Sequence, residues 1–174
     1  MTIRKILTEP DPFLRQKSSK VEDVNDEIRE LMDDMLETMY NAPGIGLAAI
    51  QIGVPKRVIV MDLSRDQEKK NPLYFINPEI ITNSNNEASY EEGCLSVPGQ
   101  FAEISRPDKC SVKHLDYNGV EKITDAEGLL ATCIQHEIDH LEGILFIDYL
   151  SKLKKSMIVK KLSKQKKSLE RIVV

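Results

Sequence analysis

Thr124-Asp125-Ala126-Glu127-Gly128-Leu129-Leu130-Ala131-Thr132-Cys133-Ile134-Gln135-His136-Glu137-Ile138-Asp139-His140-Leu141-Glu142-Gly143 is the stretch on which the reading of the fold turns. Thr124 and Glu127 have the spacing of a capping box, so the helix is expected to start there. Leu129, Leu130, Cys133 and Ile134 carry it forward to His140, and Gly143 supplies its stop. Within it lies H-E-x-x-H. Residues i and i+4 share a helix face, so His136 and His140 can present both imidazoles to one metal ion. Glu137 sits beside them, where a carboxylate can take a proton from water. The flanking Ile134, Ile138 and Leu141 bury this helix, and buried paired histidines need a partner.

A catalytic tetrahedral site uses three protein ligands and one open position. A third histidine six residues beyond the second would fall on Phe146, which cannot ligate, and a late glutamate would have to be Glu170 in the basic tail. His114 reads as a satisfied strand histidine, and Cys110 alternates with Val112 as a core residue. Cys133, one turn before His136, competes with it for space and so lines the pocket. Cys94, in the polar, glycine-flanked and proline-stopped segment Tyr90-Glu91-Glu92-Gly93-Cys94-Leu95-Ser96-Val97-Pro98-Gly99, which reads as an exposed turn or sheet end, is left as the third ligand. Three widely spaced cysteines do not suggest a disulfide framework.

Working outward, Ile28, Leu31, Met32, Met35, Leu36 and Met39 recur at helical spacing over Asn25 to Tyr40, a methionine-rich stripe that reads as core. Val58 to Met61, Leu73 to Ile76, Glu79 to Thr82, Cys110 to Leu115 and, past Asn118-Gly119, Val120 to Ile123 read as short strands joined by turns. The expected class is α+β: antiparallel sheets packed around a central helix carrying the H-E-x-x-H motif, plus a C-terminal helix from Tyr149 to about Lys167.

Charge divides the chain. Residues 151–174 hold nine basic residues against one acid, a net +8; the first 150 hold 15 basic and 27 acidic, a net −12, which together give the overall −4. The expectation is a single catalytic domain over 1–150, with 151–174 as its basic helix or tail, packing through Leu150, Leu153, Met157, Ile158 and Leu162. The lysines either solvate that helix or attract an RNA surface. No window approaches the roughly 20 apolar residues of a membrane span, and the N-terminus lacks a signal peptide, so a cytoplasmic location is expected.

Three segments together resemble the peptide deformylase family: Gly44-Ile45-Gly46-Leu47-Ala48-Ala49-Ile50-Gln51, Glu92-Gly93-Cys94-Leu95-Ser96, and Gln135-His136-Glu137-Ile138-Asp139-His140-Leu141. They stand in the family's order and span more than half the chain. The resemblance implies removal of the formyl group from the N-terminal formyl-methionine of new polypeptides. It places the metal on Cys94, His136 and His140, the catalytic acid on Glu137, and the carbonyl-oxygen donors on the Gln51 side chain and the Leu95 amide. Ile45 and Gly46 fall where substrate backbone and methionine side chain lie close. It implies iron in the cell, with zinc, nickel or cobalt able to substitute, and, from some relatives, ribosome docking through the C-terminal helix. Two departures stand out: Ile50 replaces a usual proline, which would loosen the turn before Gln51, and Phe101 stands near a basic position of many bacterial members, which would alter the pocket mouth. Two alternatives differ in class: an H-E-x-x-H metallopeptidase, and a structural-zinc RNA-binding module.

Overall fold

Val58–Met61 is apolar and buried at every position, because both its faces are covered. Side chains alternate along a strand. Val58 and Val60 meet Met32, Met35 and Met39 of the first helix, while Ile59 and Met61 meet Ile134 and Leu141 of the second. The structure, a computed structural model, describes residues 2–64 and 69–172. Val173 and Val174 of the tail, and the Glu170 side chain, lie outside the described residues.

The helices are α1 (Asp26–Asn41), α2 (Gly128–Leu141) and α3 (Lys152–Ile172). The strands are β1 (Gly46–Ala48), β2 (Val58–Met61), β3 (Leu73–Asn83), β4 (Glu87–Cys94), β5 (Val97–Pro107), β6 (Lys109–Leu115) and β7 (Glu121–Glu127). Five form an antiparallel sheet in the order β1-β2-β3-β6-β7; β4 and β5 form a separate hairpin. This is the expected α+β arrangement, with α1 and α2 on opposite faces of the sheet. The methionine stripe of α1 is core: Met32, Met35 and Met39 are fully buried, and Asn25 caps the helix by accepting the Ile28 amide at 3.1 Å.

Four expectations are corrected. The Thr124 capping box does not form. Residues 121–127 pair with β6 from Leu115↔Glu121 to Lys109↔Glu127, so a full strand ladder takes them before a helix can start. Thr124 Oγ1 instead meets His114 Nε2 at 2.9 Å, and α2 begins at Gly128, whose φ of 59° turns the chain out of the strand. Leu73 to Thr82 is one strand, not two; it bends at Asn77-Pro78, where the register shifts and the Asn77 side chain exchanges hydrogen bonds with the Val21 backbone. The proline-glycine pair after Val97 does not end the segment. Pro98, Gly99 and Gln100 form a bulge, after which Phe101 pairs with Gly93. Finally, α3 starts at Lys152 and packs through Ile158, Val159 and Leu162, leaving Leu153 and Met157 exposed. Gly143 does end α2, with φ 75° and its amide on His140 O.

Candidate metal centre and catalytic cavity

The middle of α2 faces the hairpin. Cys94, the last residue of β4, brings its Sγ to 3.2 Å from His140 Nε2. The ligand atoms of Cys94, His136 and His140 all lie within 4.8 Å of one another. Two imidazoles and a thiol at this spacing fit one divalent ion with room for a fourth ligand. Both histidines are buried. His136 Nδ1 is held by Glu92 Oε2 at 2.8 Å, which turns the other ring nitrogen toward the sulfur.

Glu92 is itself clamped. Arg106 donates to its two oxygens at 2.6 and 3.1 Å, and to Asp139 at 2.8 Å; Tyr149 donates to the same Asp139 oxygen at 2.8 Å. Arg106, on β5, thereby ties the hairpin to α2. Burial would raise the Glu92 carboxyl, but His136 and Arg106 outweigh it and hold it below the usual carboxylate range.

The two imidazoles are driven in opposite directions. Burial would depress the His136 ring, yet Cys94, Glu92 and Glu137 drive it well above its ordinary value. His140, buried and facing that ring, is driven well below. Glu137 is pushed up to about 7, first by burial and then by Glu92, against the opposing pull of His136. Its Oε2 is buried without a partner in the protein. A carboxyl poised near neutrality with a free oxygen suits proton transfer.

The cavity beside these groups has a volume of about 460 Å³. Ile45, Gly46, Gln51, Leu95, Cys133 and Glu137 line it. A Cβ at Gly46 would sit 2.5 Å from Glu137 Oε1 and 3.1 Å from Cys133 Sγ, so any side chain there would displace the Glu137 carboxyl. Cys133 thus borders the cavity beside the donor cluster. Leu95 and Ser96 form the turn between β4 and β5. His114 is buried and hydrogen-bonded at both ring nitrogens, and Cys110 is core. Ile50 is fully buried, and the turn around it is closed by Gly53 N on Ile50 O and Val54 N on Ala49 O, each at 3.1 Å. The missing proline therefore does not open that turn. Phe101 stands exposed at the cavity mouth, its ring filling the space a side chain at Gly93 would need.

Sequence reasoning carried Cys94, His136, His140, Glu137, Gln51, Leu95, Ile45, Gly46 and Cys133 to this region, and all nine meet there. It missed Glu92, Arg106 and Ser96 as parts of the site. The first and last lie inside a segment already singled out, so their signal was adjacency; Arg106 has no local signal.

A helix with H-E-x-x-H, met by one cysteine from a β-hairpin at an apolar cavity, is the arrangement of a metal-dependent hydrolase. Residues 3–156 match the family model for polypeptide deformylase. A peptide deformylase of Pelagibacter ubique is 68% identical over 174 residues, covering 100% of both chains. One from Phenylobacterium zucineum is 61% identical over 168 residues, 97% of this chain and 99% of that one. The crystal structure of peptide deformylase from Ehrlichia chaffeensis in complex with actinonin superposes with a TM-score of 0.91 at 47% identity, covering 95% of this chain and 98% of that one. The chain belongs to the polypeptide deformylase family, metal-dependent hydrolases that remove the N-terminal formyl group from nascent polypeptides. The peptidase and structural-zinc alternatives are thereby set aside. Among the described residues no helix is long and apolar enough to cross a membrane.

Proposed function

We propose that Cys94, His136 and His140 hold one divalent metal, that Glu137 is the proton carrier, and that Gln51 and the Leu95 amide stabilise the oxyanion during deformylation. The observation that carries this reading is the meeting of three donor atoms within 4.8 Å beside a buried carboxylate with an unpartnered oxygen. When bound, the ion supplies Lewis-acid polarisation of the formyl carbonyl and lowers the pKa of water to roughly 7. Glu137 takes the proton from the attacking water and returns it to the departing amine, leaving formate and a free methionyl peptide. The Gln51 side-chain amide and the Leu95 backbone amide donate to the developing oxyanion. Ile45 and Gly46, at the free edge of the sheet, border the substrate backbone and methionine, and Cys133 lines the space for that side chain.

Ferrous iron is the proposed ion in the cell, with zinc, nickel or cobalt as substitutes; the donor set suits each of them. Residues 1–150 form the catalytic domain and 151–174 its basic tail. The tail is proposed to contact the ribosome through its lysines, and the protein to work in the cytoplasm.

The test is formate release from a formyl-methionyl tripeptide, measured with metal content. Glu137→Ala is expected to keep its metal and lose roughly 10²–10⁴-fold in kcat. A near-normal rate in that variant would remove Glu137 from the proton path.

A further inference from the structure

The Gln51 carboxamide is almost wholly enclosed, at 1% exposure, and each of its polar atoms is engaged. Its Oε1 accepts the Ala48 backbone amide at 2.8 Å. Its Nε2 donates to Ser96 Oγ at 3.0 Å and lies 3.6 Å from Cys94 Sγ. A backbone N–H can only donate, so Ala48 fixes which end of the carboxamide is oxygen. The nitrogen must then face the β4–β5 turn. It carries two hydrogens: Ser96 takes one, and the other is donated toward the cysteine sulfur at the cavity edge, where the oxyanion would form. Gln51 and Cys94 border the cavity; Ser96 is fully buried behind them and does not.

We propose that Ser96 is a positioning residue, whose hydroxyl oxygen anchors one hydrogen of the Gln51 amide so that the second is presented to the oxyanion. This rests on the role given to Gln51 above. The backbone holds the pair independently of their side chains. Leu7 N donates to Gln51 O at 2.7 Å, and Glu9 N donates to Ser96 O at 2.8 Å, so one N-terminal segment straps both residues. Removing the Ser96 hydroxyl therefore leaves the Gln51 backbone in place and releases the end of its side chain. Small losses of alignment at a reacting centre reduce rate more than binding.

The experiment is a double-mutant cycle on the metal-loaded full chain, following formate release from a formyl-methionyl tripeptide, with metal content and thermal midpoint for each variant. Ser96→Ala removes the acceptor. Ser96→Cys keeps the side-chain volume but substitutes a weak acceptor, and carries the test if the alanine variant folds poorly. Each is expected to lower kcat about tenfold while KM stays within about twofold. Gln51→Ala is expected to cost roughly a hundredfold or more. Adding Ser96→Ala to Gln51→Ala should cost nothing further. In nitrogen-15 spectra of the zinc-loaded protein, the two Gln51 amide-proton signals should be distinct and should broaden or shift in Ser96→Ala. An equal tenfold loss in both backgrounds, or wild-type kcat in both Ser96 variants, overturns the proposal. Wild-type turnover in Gln51→Ala would instead remove the oxyanion role of Gln51, and with it the basis for Ser96.

Discussion

Nine of the fourteen residues of α2 are buried, including both histidines and Glu137; in α3, twenty-one residues long, Leu162 alone is buried among the described side chains. The two helices treat charge in opposite ways. Around α2 the charges are answered in turn: His136 by Glu92, Glu92 by Arg106, Asp139 by Arg106 and Tyr149, while Glu137 keeps an oxygen unpartnered beside the cavity. Along α3 the lysines stand in solvent, and among the described residues only Lys155 meets an acid, Asp148, at 2.6 Å. Buried charges are costly unless paired, so the network around α2 is rigid by necessity and holds a reactive site to tight tolerance. Solvated charges cost little and leave α3 open to other surfaces.

The sharpest way to break this contrast is to orphan a charge beside α2. Glu92→Ala would leave Arg106 buried with half its partners gone, and is expected to cost roughly 3–5 kcal/mol of stability, measured by urea unfolding. Replacing Glu92 and Arg106 together, by Gln and Met, should recover much of that loss while still weakening metal retention through the freed His136 ring. An equal loss in the single and double variants would show that the network is not coupled.

The corresponding cut at α3 is gentler. Ending the chain at residue 150 exposes the surface under Leu162 and should cost about 2–3 kcal/mol, with tripeptide turnover within about twofold of the full chain. In ribosome co-sedimentation at low and moderate salt, the full chain should pellet more than this truncation, and the difference should shrink with salt. Equal pelleting would leave the lysines as solvation only.

The smallest effect concerns the pin between α3 and the body. Burial would raise the Asp148 carboxyl, but Lys155, the Leu145 amide and Arg15 outweigh it and hold it below its ordinary value. A depressed folded pKa gives stability that is present above the unfolded value, near 4, and is lost as pH falls through the folded one. Unfolding midpoints from pH 6 to pH 3 should therefore decline less steeply in Asp148→Asn than in the parent chain. Identical slopes would exclude Asp148 as a contributor.

The contrast also explains what the sequence made legible. The α1 stripe and the histidine half of α2 are periodic, and periodicity is local. The tail's charge is compositional. What stayed hidden depends on partners distant along the chain. Thr124 to Glu127 has a sound capping pattern, but the ladder with β6 claimed it first. The hairpin β4–β5 was obscured because its glycines and Pro98 sit at a bulge and a close aromatic contact, where they look like loop signals. Arg106 reads as one more surface arginine until Glu92 and Asp139 are seen around it. Leu153 and Met157 follow the apolar period of α3 yet reach past the surface it packs on.

The turn Leu95-Ser96 is only two residues long, and the proposed ligand Cys94, the proposed oxyanion donor Leu95 and the proposed anchor Ser96 follow one another into and across it. Changes of length there have no neutral version. One added residue would rotate the sulfur, the amide and the hydroxyl out of register together, so the tip of this hairpin should tolerate substitution far better than insertion. At its opposite end Asn85 and Asn86 lie exposed, and an extra residue could loop outward without reaching the centre. Natural variation in the size of this hairpin is thus expected to collect at that far end.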